Sequence, residues 1–299
     1  MTFNEDMQID SSQSNSTGGR GRGPKIALGG GVGGLLILVV TLLLGGDPGA
    51  LLGTDSSSSS DNGSTSDPTC QTGADANRDV GCRMLFTRDS LNAIWAVELP
   101  KQTGTKYVKP QVELFSGAVN TGCGQATSEV GPFYCPADSV AYIDTSFFDV
   151  LVTQFGSSGG PLAQEYVLAH EIGHHIQNLL GDIGRAQDDP RGPQSGAVRT
   201  ELQADCYAGI WAHFADTMNA PGKDKPFLKK LTNEDINAAL SAASAVGDDR
   251  IQKAATGRVN PEKWTHGASN QRQAWFLSGY KTGDVAACNT YDARDLNNP

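Results

Sequence analysis

Two imidazoles four residues apart, with a carboxylate beside the first, stand in His170-Glu171-Ile-Gly-His174. On a helix that spacing puts both rings on one face, one turn apart, where two nitrogens can converge on one metal ion. Zinc suits such a pair, and a catalytic zinc takes one further protein ligand and keeps a position open for water. Glu171 stands about 100° round the helix from His170, placed to reach that water rather than to compete as a ligand.

The flanks of the motif predict the helix. Gly159-Gly160 interrupt what precedes it, and Pro161 suits a first helical position. Glu165 falls in the first turn, where the macrodipole favours an anion. Leu168, Ile172, Ile176 and Leu179 form an apolar stripe roughly opposite His170 and His174. The helix should therefore back onto a core and turn its histidines to a cleft, with Gly181 and Gly184 offering a stop.

The third ligand has to come from elsewhere. Gln177 and Leu180 stand where an extended His-Glu-x-x-His-x-x-Gly-x-x-His pattern needs glycine and histidine, which excludes that class. A second helical stretch, Glu201-Leu-Gln-Ala-Asp205, puts two carboxylates on one face. This resembles the gluzincin arrangement, in which Glu is the third ligand and Asp supports a zinc histidine by fixing its tautomer. Asp205 as the ligand in place of Glu201 is the competing reading.

The 299 residues divide by composition. Residues 1–25 are polar and read as a disordered cytoplasmic tail. Residues 26–44 carry no charge and would span about 28 Å as a helix, close to a bilayer's hydrocarbon core. Arg20, Arg22 and Lys25 precede them, so the positive-inside rule puts the N-terminus in the cytoplasm and the rest outside the cell membrane. No Ala-x-Ala site follows, which favours a retained transmembrane anchor over a cleaved signal peptide. Residues 45–68 are a Ser/Gly-rich linker, and residues 69–299 form one globular domain.

All six cysteines, Cys70, Cys82, Cys123, Cys135, Cys206 and Cys288, lie in that domain. An even count beyond a membrane, in an oxidising compartment, predicts three disulfides. Loop economy pairs Cys70 with Cys82, Cys123 with Cys135, and Cys206 with Cys288. The net charge of −10 belongs to the part beyond the anchor and argues against nucleic acid as a partner. Oligomeric state has no signature here.

Within the domain, residues 89–99 read as a helix stopped by Pro100 and Thr103-Gly104. Strands are expected at 111–115 and 140–144, with a loop over 122–138 between them. A helix follows at 147–155, another from a Thr232 cap to about 246, then an irregular stretch at 253–264 and a last helix starting near 265–276. Strands before the metal helix and helices after it make an α+β pattern. His175, His213 and His266 read as packing or surface histidines.

Four ordered motifs carry a resemblance: His170-Glu-Ile-Gly-His174-His-Ile-Gln, Glu201-Leu-Gln-Ala-Asp205-Cys-Tyr-Ala-Gly-Ile-Trp-Ala, Gly131-Pro-Phe-Tyr-Cys-Pro, and His266-Gly-Ala-Ser-Asn-Gln-Arg272. Together they are similar to the bacterial putative neutral zinc metallopeptidase family over roughly residues 70–296. The resemblance implies a zincin-like fold, one zinc ion held by His170, His174 and Glu201, Asp205 behind a ligand, and hydrolysis of peptide substrates with Glu171 as general base. It also makes His266 the candidate donor to the oxyanion. In zincins a strand edge above the metal helix holds the substrate backbone, and Val140–Asp144 is the strand expected to supply it. The alternative is a zinc-stabilised binding module without hydrolysis; Glu171, which zinc binding alone does not require, argues against it.

Overall fold

The structure, a computed structural model, describes residues 2–9 and 70–299. The remainder of the expected tail, the transmembrane helix at 26–44 and the linker at 45–68 lie outside the described residues. Among the described residues no helix is long and apolar enough to cross a membrane.

The first half of the domain is helix, then sheet. Helix α1 (Gly73–Arg78) leads into α2 (Val80–Thr103), followed by strands β1 (Gln111–Phe115), β2 (Ala118–Thr121), β3 (Gly124–Thr127), β4 (Phe133–Cys135) and β5 (Val140–Asp144). The second half is helical: α3 (Phe147–Thr153), α4 (Pro161–Leu180), α5 (Arg185–Asp188), α6 (Gly196–Ala215), α7 (Asn233–Ala245), α8 (Asp248–Thr256) and α9 (Ser269–Thr282). The expected α+β class is the one observed.

Helix α2 starts earlier than its sequence pattern indicates. Asp79 caps it by accepting from the Cys82 N–H at 2.8 Å, and it runs through Pro100 to a left-handed cap at Gly104. The proline removes one hydrogen bond near the end of the helix, a loss outweighed by burial of Trp95 and Leu99 beside it. The expected loop at 122–138 contains β3 and β4. Helix α8, where irregular chain was expected from residue 253, is polar along most of its length and buries only Asp248; its apolar side is the short set Ile251, Ala254 and Ala255, which faces the cavity described below.

The sheet order is β1-β5-β4, with β1 parallel and β4 antiparallel to β5; β2 and β3 form a separate hairpin. Val140–Asp144 is therefore the central strand. Its backbone groups are used by neighbours on both sides, so the expectation that it offers an edge to a substrate is corrected. The edges are β1 and β4.

Helix α4 lies at the centre of the helical half. From Leu162 to Gln177 only Gln164 escapes burial, so the helix is enclosed on all sides rather than on one stripe. Gly181, at φ 84°, ends it. Helices α6 and α9 meet through reciprocal glycines. A Cβ on Gly209 would lie 2.0 Å from the Phe276 carbonyl oxygen, and one on Gly279 would lie 1.9 Å from that of Cys206. The three disulfides are the expected pairs: Cys70–Cys82, Cys123–Cys135 and Cys206–Cys288. The last ties α6 to the C-terminal segment.

Residues 2–9, expected within a disordered tail, are ordered against the domain. Phe3 and Met7 are fully buried, and Phe3 meets Phe86 edge-on at 5.6 Å. Each such side chain contributes about 1.5–3 kcal/mol through burial, which a polar composition average conceals. The Thr2 hydroxyl donates to Glu165. Glu165 is consequently not a solvated anion at a helix start: it is completely buried, and burial pushes its carboxyl up to about 7.

Candidate active site

Helices α4 and α6 bring the predicted ligands together because Gly173 lets them approach. A Cβ at that position would lie 2.8 Å from the Ala204 carbonyl oxygen and 3.0 Å from its Cα. Within a turn of this contact, His170, His174 and Glu201 form a buried group whose ligand atoms all lie within 4.8 Å of one another. The Glu201 carboxylate faces both imidazoles, 3.2 Å from His170 Nε2 and 3.5 Å from His174 Nε2.

The other nitrogen of each ring is committed elsewhere. His170 Nδ1 lies 2.8 Å from Asp205 Oδ1, and His174 Nδ1 lies 2.8 Å from Gln177 Oε1. Both acceptors favour the proton on Nδ1 and turn Nε2 of each ring toward Glu201, where a metal ion could take the place of a proton. Gln177 is held in turn by donating to the Thr200 carbonyl at 2.6 Å. Two neutral imidazole nitrogens and a carboxylate converging in a buried pocket make a donor set that fits Zn²⁺.

Asp205 stands behind this group, not in it. Its side chain is fully buried and accepts from His170, from Tyr166 Oη at 2.5 Å, and from Arg272 through Nε at 2.7 Å and Nη2 at 2.9 Å. Burial alone would raise the Asp205 pKa, but Arg272 and His170 outweigh it and hold the carboxyl below its usual range. Burial likewise opposes charge on His170, yet Asp205 and Glu201 bring it up to about 9, whereas burial takes His174 down to about 4. The carboxylates thus favour positive charge in this pocket.

Glu171 lies beside the ligands and is buried, with Oε2 lacking a hydrogen-bond partner. Burial pushes its carboxyl up to about 7, suited to taking and releasing a proton near neutrality. His266 lies in the loop before α9. Asp248, the first residue of α8, accepts from the backbone N–H groups of Thr265, His266 and Gly267 at 2.8, 2.7 and 3.0 Å. Its other oxygen is 3.3 Å from His266 Nδ1. Burial works against a proton on His266, but Glu201 and Asp248 raise its pKa overall.

His170, Glu171, His174, Glu201 and His266 line a cavity of about 270 Å³. Much of the remaining wall is apolar, formed by Phe147 and Phe155, Val167, Val246, and Ile251 and Ala254 of α8. Val130, Gly131 and Pro132, which lead into edge strand β4, line it as well.

The structure places His170, His174, Glu201, Glu171 and His266 around this one cavity and Asp205 behind the first ligand. His175 and His213 are elsewhere: both ring nitrogens of His175 are engaged, by Tyr134 and the Val108 carbonyl, and His213 Nδ1 by the Tyr280 carbonyl. Sequence reasoning missed the roles of Tyr166, Gln177, Asp248 and Arg272. Two carried a local signal: Tyr166 is four residues before His170 and Gln177 three after His174, on the same helix face. Arg272 stood in one of the four motifs with no role attached and Asp248 had no signal, since their partners are distant in sequence.

Fold and site define an α+β domain in which a His-Glu-x-x-His helix and a following Glu-x-x-x-Asp helix bring together a His170/His174/Glu201 group able to hold a metal ion. The chain belongs to the putative neutral zinc metallopeptidase family, whose sequence pattern it matches over residues 3–291. It is 60% identical over 227 residues, 76% of each chain, to uncharacterized protein Rv2575 of Mycobacterium tuberculosis and to its counterpart Mb2605 of Mycobacterium bovis. It is 43% identical over 202 residues, 66% of each chain, to uncharacterized protein YpfJ of Escherichia coli. No solved structure matches it significantly.

Proposed function

We propose that the domain is a zinc-dependent endopeptidase working outside the cytoplasm. The observation that carries this reading is the unpartnered, buried Glu171 Oε2 beside the converged His170, His174 and Glu201. A metal that only stabilised the fold would not call for a proton acceptor next to it. The extracytoplasmic setting is supported by the three disulfides, which persist where the environment is oxidising.

Bound by His170, His174 and Glu201, the zinc ion supplies Lewis acidity to a scissile carbonyl and lowers the pKa of water. Asp205 and Gln177 fix the two imidazoles in the tautomer that frees Nε2. Glu171 takes the proton of the attacking water at Oε2 and delivers it to the leaving amine nitrogen. His266, oriented through Nδ1 by Asp248, donates from Nε2 to the oxygen on which negative charge develops. The outer edge of β4, continuous with the cavity wall at residues 130–132, takes the place of Val140–Asp144 as the strand against which a substrate backbone would align. The apolar residues of the cavity wall suit a large apolar side chain next to the cleaved bond.

Glu171→Gln tests this. The variant keeps all three ligands, so zinc content and thermal stability should stay near wild type while cleavage of an unbiased peptide library falls about 10²–10⁴-fold. A wild-type domain that holds zinc and cleaves nothing in such a library would make the protein a zinc-stabilised binding module.

A further inference from the structure

The chain leaves the described N-terminal segment and re-enters the domain at one place. Gln8 pairs with Thr72 as an antiparallel bridge, so the two backbones are about 5 Å apart, the spacing of neighbouring strands. The described residues on either side of residues 10–69 therefore adjoin. A bilayer crossed once would separate them by its hydrocarbon core of about 30 Å.

The segment is held as part of the fold. Asn77 binds the Phe3 backbone from both sides, accepting from its N–H at 3.1 Å and donating to its carbonyl at 2.9 Å. Lys229 N–H donates to the Thr2 carbonyl at 2.7 Å and Gly73 N–H to that of Met7 at 2.8 Å. Gly73 leaves the space the segment occupies: a Cβ there would lie 1.9 Å from the Asn4 carbonyl oxygen. At the solvent edge Asp6 meets Lys225, and Glu5 meets Lys229 at 2.9 Å. The family's sequence pattern also begins at residue 3, taking the segment in.

We infer that residues 2–9 are an arm docked permanently on their own domain, and hence that arm and domain lie on the same side of any membrane the chain meets. The disulfides make that side the oxidising one. A cytoplasmic N-terminus with the domain on the outer side, which the basic residues ahead of 26–44 suggest, is then not the arrangement of arm and domain. The inference stands independently of the catalytic reading, because none of the arm contacts involves a proposed zinc ligand.

Two measurements on the full chain test it. Gln8→Cys and Asp224→Cys, each at an exposed position, are probed separately with a membrane-impermeant maleimide on intact spheroplasts. The native cysteines, all disulfide-bonded, stay silent. Equal labelling of the two variants before and after lysis is expected. Labelling of Asp224→Cys before lysis and of Gln8→Cys only after it would overturn the inference. Independently, a zero-length carbodiimide should couple Asp6 to Lys225 in the unmodified protein. The coupled peptide should be found in the monomer band and lost in Asn77→Ala. Its absence from wild type overturns the docking, and its confinement to a dimer band overturns docking on the arm's own domain.

Discussion

Asp205→Ala should damage the protein in two separable ways, because Asp205 holds both Arg272 and His170, besides accepting from Tyr166. Its carboxylate accepts two hydrogen bonds from a guanidinium that is itself only 3% exposed, and a third from His170 Nδ1 at 2.8 Å. Removing it strands the Arg272 charge in the interior, and breaking one side of a buried pair costs about 3–5 kcal/mol. Domain stabilities run to about 5–15 kcal/mol, so the variant should fold but melt early. Removing it also frees the His170 ring, and loss of such a supporting acceptor costs about 10–100-fold in metal affinity, or about 1.4–2.7 kcal/mol. Arg272→Met in the same molecule takes away the stranded charge while leaving His170 unsupported. Chemical denaturation in chelator should therefore show the double variant more stable than Asp205→Ala alone. Zinc titration against a competing chelator should show both equally weakened. Equal stabilities of the single and double variants would refute the buried-charge argument. An empty site in Asp205→Ala together with a full one in Glu201→Ala would reverse the ligand and supporting roles.

Gly173→Ala puts a methyl group against Ala204 backbone atoms that cannot move aside alone, so α4 and α6 must separate. A loss of about 1–3 kcal/mol in denaturation is expected, with weaker zinc binding because Glu201 retreats from both imidazoles; unchanged values for both would show that the helices have slack. Glu165 offers a pH test. Its folded carboxyl lies at about 7 against an ordinary 4.5, so between those values the folded state keeps a proton that the unfolded state has lost, and stability falls as pH rises. Each unit is about 1.4 kcal/mol; wild type should therefore lose roughly 3 kcal/mol relative to Glu165→Gln between pH 4.5 and 7, and parallel melting curves across that range would contradict the buried carboxyl.

What could be read from the sequence was what repeats within a few residues. His170 and His174, and Glu201 and Asp205, announce themselves by four-residue spacing, and the helices that carry them follow from caps, breakers and apolar period. Disulfide pairing followed because close cysteines make short loops and left one pair over. The β5 edge failed because strand order depends on contacts across the chain. Val140–Asp144 is buried at all five positions, and its unbroken Val-Ala-Tyr-Ile run is what a strand covered on both faces shows. The same limit hid Arg272, 67 residues from the carboxylate it holds. The arm failed for a different reason. Its composition is polar, and the two side chains that anchor it, Phe3 and Met7, show no period of their own.

The arm also reaches the site's foundation. Helix α4 presents His170, Glu171 and His174 to the cavity and Glu165 to Thr2, so one enclosed helix carries both the proposed catalytic groups and an attachment point of residues 2–9. Arg83 adds a second tie to the same first turn, donating to Gln164 and, at 2.9 Å, to the Asn77 carbonyl. Asn77 in turn binds the Phe3 backbone. The start of the metal helix is thus fixed by a chain of contacts that runs through the arm, while its middle is fixed by Gly173 against α6. A helix held at both places has little freedom to rotate, and rotation is the motion that would most readily spread Nε2 of His170 and His174 away from Glu201. Preorganisation of this kind is what a metal site needs from its scaffold, and here part of the scaffold is a segment separated from the rest of its domain by 60 residues.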